Sequence, residues 1–254
     1  MNIDKVIEIV KETDNIFFDE KLRNDVTEKG KSDYVTRADI EISGYLHRRL
    51  NEEFPDIGFL SEEEEFKDLK NKDYWILDPI DGTTNFMHQI GLSALSLGLC
   101  SDGVIKLGII YIPYAKELFW AEKGKGAYLN GNPIWCSTNS QLSDCLGIME
   151  YNPYFKDDYK AALNQAAKIY TYCQDLRTLG SSAVELAYVA CGRADVFLGR
   201  YLKPWDYAAG IVIVQEAGGT VSEPGGGINI TKLNRHIIAA NSAVYEEFAE
   251  LINK

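Results

Sequence analysis

Residues Trp75 to Phe86 read Trp-Ile-Leu-Asp-Pro-Ile-Asp-Gly-Thr-Thr-Asn-Phe. An apolar run ending in Asp78 and the rigid Pro79 predicts a buried strand that delivers one carboxylate at its carboxyl end, where α/β proteins place ligands. Asp81 follows less than a helical turn later. Gly82, Thr83 and Thr84 then offer small residues and free backbone N–H groups of the kind that hold anions at a helix start. Carboxylates gather hard cations and amides gather phosphate. Their juxtaposition suggests a phosphate ester held against a divalent metal, with Mg²⁺ favoured by its preference for oxygen ligands. An Asp-Gly pair alone is a common turn signal, but the full string says more than a turn.

Composition narrows the alternatives. A chain of 254 residues with 46% hydrophobic content can bury a substantial core in one large or two small domains. Met1 to Phe18 alternates charge with Ile and Val at helical spacing. It lacks the apolar core of a signal peptide and the length of a membrane span, so a cytoplasmic protein with no membrane contact is expected. The five cysteines, Cys100, Cys136, Cys145, Cys173 and Cys191, form no C-x-x-C pair, which argues against a disulfide framework and against zinc. A net charge of −12 disfavours nonspecific nucleic-acid binding. It also strengthens the metal argument, because an anionic substrate entering an acidic pocket needs bound cations to reverse the local sign.

Periodicity predicts helices at Ile3 to Leu22 and Asp39 to Phe54, the latter ended by Pro55. A mostly antiparallel block follows, with strands at Gly58 to Leu60, Tyr74 to Leu77, Ser93 to Leu99, Val104 to Ile112 and Glu117 to Ala121. Asn130 to Pro133 reads as a turn. After a strand at Cys145 to Met149, helices at Lys156 to Ile169, Ser182 to Cys191, Trp205 to Ala217 and Ala243 to Ile252 alternate with strands near Leu176, at Asp195 to Leu198 and at His236 to Ala240. The fold class is therefore mixed α/β in two layered halves. The boundary falls near Asn139 to Asp144, with the metal-binding motifs in 1–140 and an α/β half in 141–254, within one compact catalytic unit.

Three further segments carry candidate chemistry. Glu62 opens Glu62-Glu63-Glu64-Glu65 after a short apolar segment and is placed to face the crevice of Asp78, whereas Glu64 and Glu65 read as a solvated loop. Asp206, behind Pro204 and Trp205, opens a helix whose small residues Ala208, Ala209 and Gly210 allow close packing; helix capping alone is the competing reading. Thr36 or Asp39 in Val35-Thr-Arg-Ala-Asp39 caps the second helix. With only three histidines, none at metal-ligand spacing, a His-based site has little support. Gly225-Gly-Gly227 lacks the lysine and following helix of a phosphate loop and reads as a flexible turn.

Together these elements resemble the inositol monophosphatase family of Mg²⁺-dependent, lithium-sensitive phosphatases. The resemblance rests on Asp78-Pro-Ile-Asp-Gly-Thr-Thr84 and Trp205-Asp-Tyr-Ala-Ala-Gly210, with Phe59-Leu-Ser-Glu-Glu63 and Val35 to Asp39 in the family's order. It implies a layered αβαβα sandwich of the inositol monophosphatase and fructose-1,6-bisphosphatase type, commonly a homodimer, with two to three Mg²⁺ per site. Glu62, Asp78 and the carbonyl of Ile80 would hold one ion. Asp78, Asp81 and Asp206 would hold a second, with a weaker third near Glu62. Thr83 paired with Asp39 would orient the attacking water, and the N–H groups of Gly82 and Thr83 would hold phosphate oxygens. Gly180, Ser181 and Ser182 resemble a second substrate loop.

The implied activity is a phosphomonoesterase acting on a small phosphorylated metabolite such as an inositol monophosphate. The chain departs from inositol-selective members at Gly199, where those members carry a glutamate that contacts sugar hydroxyls. Arg200 beside it raises the alternative of a second anionic group, as in fructose bisphosphate, NADP or a 3′-phosphonucleotide; a surface arginine is the plainer reading. The other alternative is a regulatory binding protein on a phosphatase scaffold.

Overall fold

The structure is a computed structural model that describes residues 1–63 and 72–253, so Glu64 and Glu65 lie outside the described residues. The N-terminal segment forms three short helices, α1 (Ile3–Lys11), α2 (Asp14–Phe17) and α3 (Glu20–Asn24), rather than the single helix expected. The Thr13 hydroxyl turns back to donate to Val10 O at 2.7 Å, and the Asp19 carboxylate caps a new start by accepting from Lys21 N at 2.8 Å. An unforeseen hairpin of β1 (Val26–Gly30) and β2 (Asp33–Thr36) follows, its first strand exposed throughout. The helix α4 (Arg37–Glu53) starts in a capping box between Thr36 and Asp39.

A seven-stranded sheet contains β3 (Gly58–Ser61), β4 (Asp73–Asp81), β5 (Ala94–Ser101), β6 (Val104–Ile112), β7 (Glu117–Glu122), β8 (Ala127–Leu129) and β9 (Asn132–Ile134), in that spatial order. Only the β3–β4 pair is parallel. A short helix, α5 (Thr83–Met87), leaves the end of β4. The expected turn at Asn130 to Pro133 is the tip of the β8–β9 hairpin, with Asn130 and Gly131 both at positive φ.

The rest of the chain runs β10 (Leu146–Glu150), α6 (Tyr159–Tyr172), β11 (Asp175–Arg177), α7 (Ser182–Ala190), β12 (Val196–Leu202), α8 (Pro204–Glu216), β13 (Gly219–Ser222), β14 (Arg235–Asn241) and α9 (Tyr245–Asn253). Its five strands form a second sheet in the order β11-β10-β12-β14-β13. The glycine-led β13 had no apolar alternation to announce it.

Three cores define the layers. On the outer face of the first sheet, Ile9, Ile42 and Leu46 pack on Trp75, Leu97 and Ile109. Between the sheets, α7 and α8 bury Leu186, Ala209 and Val212 against Ile110, Phe119 and Phe197. Beyond the second sheet, Ile169 of α6 and Phe248 of α9 meet Val196, Leu198 and Ile238. Successive residues of β12 thus serve different cores, as strand alternation requires. The result is the αβαβα sandwich expected. Among the described residues no helix is long and apolar enough to cross a membrane.

The helix α8 lies unusually close to the first sheet. A Cβ at Gly98 would stand 3.1 Å from Ala208 Cβ, and one at Gly108 only 2.4 Å from the carbonyl oxygen of Ala209. Glycine on the strands and alanine on the helix set the height of the helix above the sheet, and so the position of its first turn. Gly108→Val should therefore destabilise by about 1–3 kcal/mol through overpacking. Chemical denaturation will read it, and an unchanged midpoint would show that α8 can move outward freely.

Candidate active site

The two close approaches bring the carboxyl end of β4 to the amino end of α8. Asp78, Asp81 and Asp206 meet there, each offering a carboxylate oxygen within 4.8 Å of the others. Each is fixed by its own local bond. Asp78, 2% exposed, accepts from Ile80 N at 3.1 Å. Asp81 accepts from the Ser181 hydroxyl and from Ala183 N, both at 2.6 Å. Asp206 accepts from Lys203 N at 2.8 Å, capping its helix while a carboxylate oxygen of the same residue lies in the cluster. The capping reading and the site reading of Asp206 are thus both satisfied.

A cavity of about 270 Å³ opens over this trio. Glu62, Ile80, Gly82 and Thr83 line it from one side, Gly180, Ser181 and Ser182 from the other. Glu62 arrives at the end of β3, where its N–H donates to Leu77 O at 3.1 Å. Gly82 sits at φ 83°, and a Cβ there would lie 2.8 Å from Gly180 O, so only glycine lets the two loops touch. Asn85 ties the same loops together, donating to Leu92 O at 2.7 Å and Leu179 O at 2.6 Å. Ser181 spends its hydroxyl proton on Asp81, and so orders a carboxylate of the cluster.

Two expected placements come out differently. Thr83 is not joined to Asp39: its hydroxyl donates to Ile80 O at 3.1 Å, while the Asp39 carboxylate accepts from Thr36 N at 2.8 Å and the Thr36 hydroxyl at 2.5 Å. Asp39 is nonetheless close enough for its charge to act on Asp78. Arg200 does not enter the cleft. Strand alternation turns it toward α6, where it is buried and pairs with Asp158 and Gln165. Its neighbour Gly199 turns the opposite way, toward Phe197 and Leu202.

Several wall residues carried no motif. Ser32 and Tyr34 come from the unforeseen hairpin, and Tyr154 from the segment after β10. Lys203 is a cation in the wall, with Nζ 3.9 Å from Glu62 and over the rings of Tyr154 and Trp205. Its position beside Trp205 and Asp206 was the available signal. Glu150 also lines the cavity.

Electrostatically the cluster is frustrated. Burial, then the charge of Glu62, pushes Asp78 well above the usual carboxylate range, and burial and the charge of Asp81 do the same for Asp206. Burial lifts Asp81 to about 6 despite the hydrogen bond from Ser181, and Asp39 to about 7. So much buried anionic oxygen calls for a cation. An all-oxygen donor set of carboxylates, with the Ile80 carbonyl beside it, fits a hard ion of the Mg²⁺ type.

Comparison with known proteins agrees with this geometry. The inositol monophosphatase family model matches residues 2–254, and the chain belongs to that family. A Thermotoga maritima fructose-1,6-bisphosphatase/inositol-1-monophosphatase is 34% identical over 89% of this chain and 84% of its own. The Escherichia coli Nus factor SuhB is 35% identical over 87% and 82%. The Bartonella henselae extragenic suppressor protein suhB superposes with a TM-score of 0.92 at 33% identity, covering 99% and 98%. Another structural neighbour, an IMPase/NADP phosphatase with Mg²⁺ and phosphate, has a TM-score of 0.86 at 25% identity over 99% and 95%. Two further neighbouring structures contain inositol monophosphate and 2′AMP, each at 26% identity and TM-score 0.82 over 98% and 92%. The chain is thus a phosphoric monoester hydrolase of a metal-dependent family.

The buried acids make a prediction for the metal-free protein. A carboxyl raised in the folded state binds more protons folded than unfolded, so its contribution is most favourable below the ordinary value of 3.8 and is lost as pH rises toward about 6 for Asp81 and about 7 for Asp39. In chelator, the melting temperature should fall between pH 5 and pH 8. Mg²⁺ should reduce that fall, and Asp206→Asn should lessen it without metal. A metal-free protein that gains stability over this range would contradict the assignment.

Proposed function

We propose that the chain is a Mg²⁺-dependent phosphomonoesterase acting on a small phosphorylated sugar or polyol of the inositol monophosphate type, with water as the attacking group. The observation that carries the reading is the trio of Asp78, Asp81 and Asp206, the first buried and the other two half-buried, in one cavity with Gly82 to Thr84. Asp78, Asp81 and Asp206 would hold one ion, and Asp78, Glu62 and the Ile80 carbonyl another, with a third near Glu62. The ions supply charge neutralisation and a lowered water pKa when bound.

The protein residues supply the rest. Thr83 donates its hydroxyl proton to Ile80 O, which leaves its oxygen lone pairs to accept from the attacking water. The N–H groups opening α5 have no helical carbonyl ahead of them and suit phosphate oxygens. Asp39, close to Asp78 and itself held by Thr36, is the nearby group that would take up the proton released. No cysteine or histidine is among the described residues lining the cleft, which is consistent with a water nucleophile.

Arg200, engaged with Asp158, offers nothing to a second anionic group, which weighs against a bisphosphate or phosphorylated nucleotide. A regulatory role is the second reading, because one relative is named a Nus factor. A binding scaffold has no need of three repelling acids gathered in one cavity, and this favours catalysis. The homodimer implied by the family would use an apolar face, for which α6 offers Tyr159, Leu163 and Tyr170, all more than half exposed.

Phosphate release from inositol 1-phosphate should require Mg²⁺. Asp81→Asn and Asp206→Asn should each lower kcat/KM by at least about a hundredfold while the fold persists by circular dichroism. Release without metal, or release that either variant leaves intact, would contradict the reading.

A further inference from the structure

Two carboxyls behind the cleft take no part in the acid trio. Glu150 ends β10 and is half-buried in the cavity wall. Glu185, in the first turn of α7, is wholly enclosed. Glu185 Oε1 accepts from Leu179 N at 2.7 Å. Burial pushes the Glu150 carboxyl up to about 8. The Oε2 atoms of both residues are buried without a hydrogen-bond partner, and burial followed by the charge of Glu150 pushes the Glu185 carboxyl well above the usual carboxylate range. Two charged carboxylates would repel there, and a proton on one of them relieves the repulsion. Glu185 holds the 179–182 loop through Leu179 N.

Glu150 Oε2 is buried, while the residue as a whole is half-buried and lines the cavity. Register places Glu150 directly beside Gly199 on β12. A Cβ at Gly199 would stand 2.4 Å from Leu202 Cδ1 and 2.7 Å from Phe197 Cζ, so apolar side chains already fill that volume. Along this part of the wall Leu202 is apolar and Gly199 contributes no side chain, and Glu150 is the carboxylate that lines the cavity there. Glu150 lines the same cavity as Asp78, Asp81 and Asp206.

We propose that Glu150 hydrogen-bonds a hydroxyl of the alcohol half of the phosphate ester, selecting esters of polyhydroxylated alcohols, and that Glu185 is the positioning residue that aims it. The assignment rests on the phosphomonoesterase reading above. An ester without that hydroxyl leaves a desolvated carboxyl unpartnered, which a built polar site rejects strongly.

The test compares myo-inositol 1-phosphate with cyclohexyl phosphate, the same ring without hydroxyls, and uses p-nitrophenyl phosphate as a general probe of phosphoryl chemistry. Wild-type protein with Mg²⁺ should favour the inositol ester by at least about tenfold in kcat/KM, chiefly through KM. Glu150→Met should shrink that ratio at least about fivefold. Glu150→Gln, whose amide can donate to Glu185 and whose carbonyl can face the hydroxyl, should return it to within about threefold of wild type. Equal KM for the two esters in the wild type would overturn the proposal even if Glu150→Met did not fold. Equal losses on both esters in Glu150→Met would overturn it as well, by reducing Glu150 to loop support. Absence of Mg²⁺-dependent release from all three esters would instead remove the phosphomonoesterase reading, and this proposal with it.

Discussion

Repulsion among clustered carboxylates is the constraint on which the rest of this structure depends. Asp78, Asp81 and Asp206 lie within 4.8 Å of one another, with Asp78 almost wholly out of water. Nothing about three such groups favours their meeting. The surrounding packing enforces it: glycine at positions 98 and 108 admits α8 close to the first sheet, and that height fixes where Asp206 emerges. Apolar burial on both sides of α8 holds the arrangement against the repulsion, since each fully buried aliphatic side chain is worth about 1.5–3 kcal/mol. Affinity for a cation is the chemical use of that opposed energy.

Around the trio, order is built by neutral donors. Ser181 and Ala183 N serve Asp81, and Asn85 joins the loops that the Gly82–Gly180 contact allows to meet. The cation Lys203 stands at the edge, 3.9 Å from Glu62 and over the rings of Tyr154 and Trp205, where it offsets part of the negative potential. Glu185 extends the logic outward: a further acid, fully buried, holds the far loop by accepting from Leu179 N at 2.7 Å.

Much of this was legible in the sequence because burial writes itself into pattern. The strand before Asp78, the paired β5 and β6 and the helices α7 and α8 are apolar on the faces that pack, and glycine with small residues marked the close approaches. The hairpin of Val26 to Thr36 was not legible, since its first strand is exposed and polar yet contributes the rim residues Ser32 and Tyr34. Arg200 shows a different limit. Adjacency to Gly199 put it near the cleft in one dimension, while strand alternation sends it to the opposite face. Glu150 and Glu185 belong to no motif, because their meeting depends on β10 and α7 packing across the same layer.

The claim that the trio exists to bind cations is tested most directly by calorimetric titration of Mg²⁺ into metal-stripped protein with inorganic phosphate present. The account predicts saturable binding of at least two ions per chain, reduced by at least one in Asp206→Asn and lost in Asp78→Asn. Binding that is absent in the wild type, or indifferent to both substitutions, would contradict it.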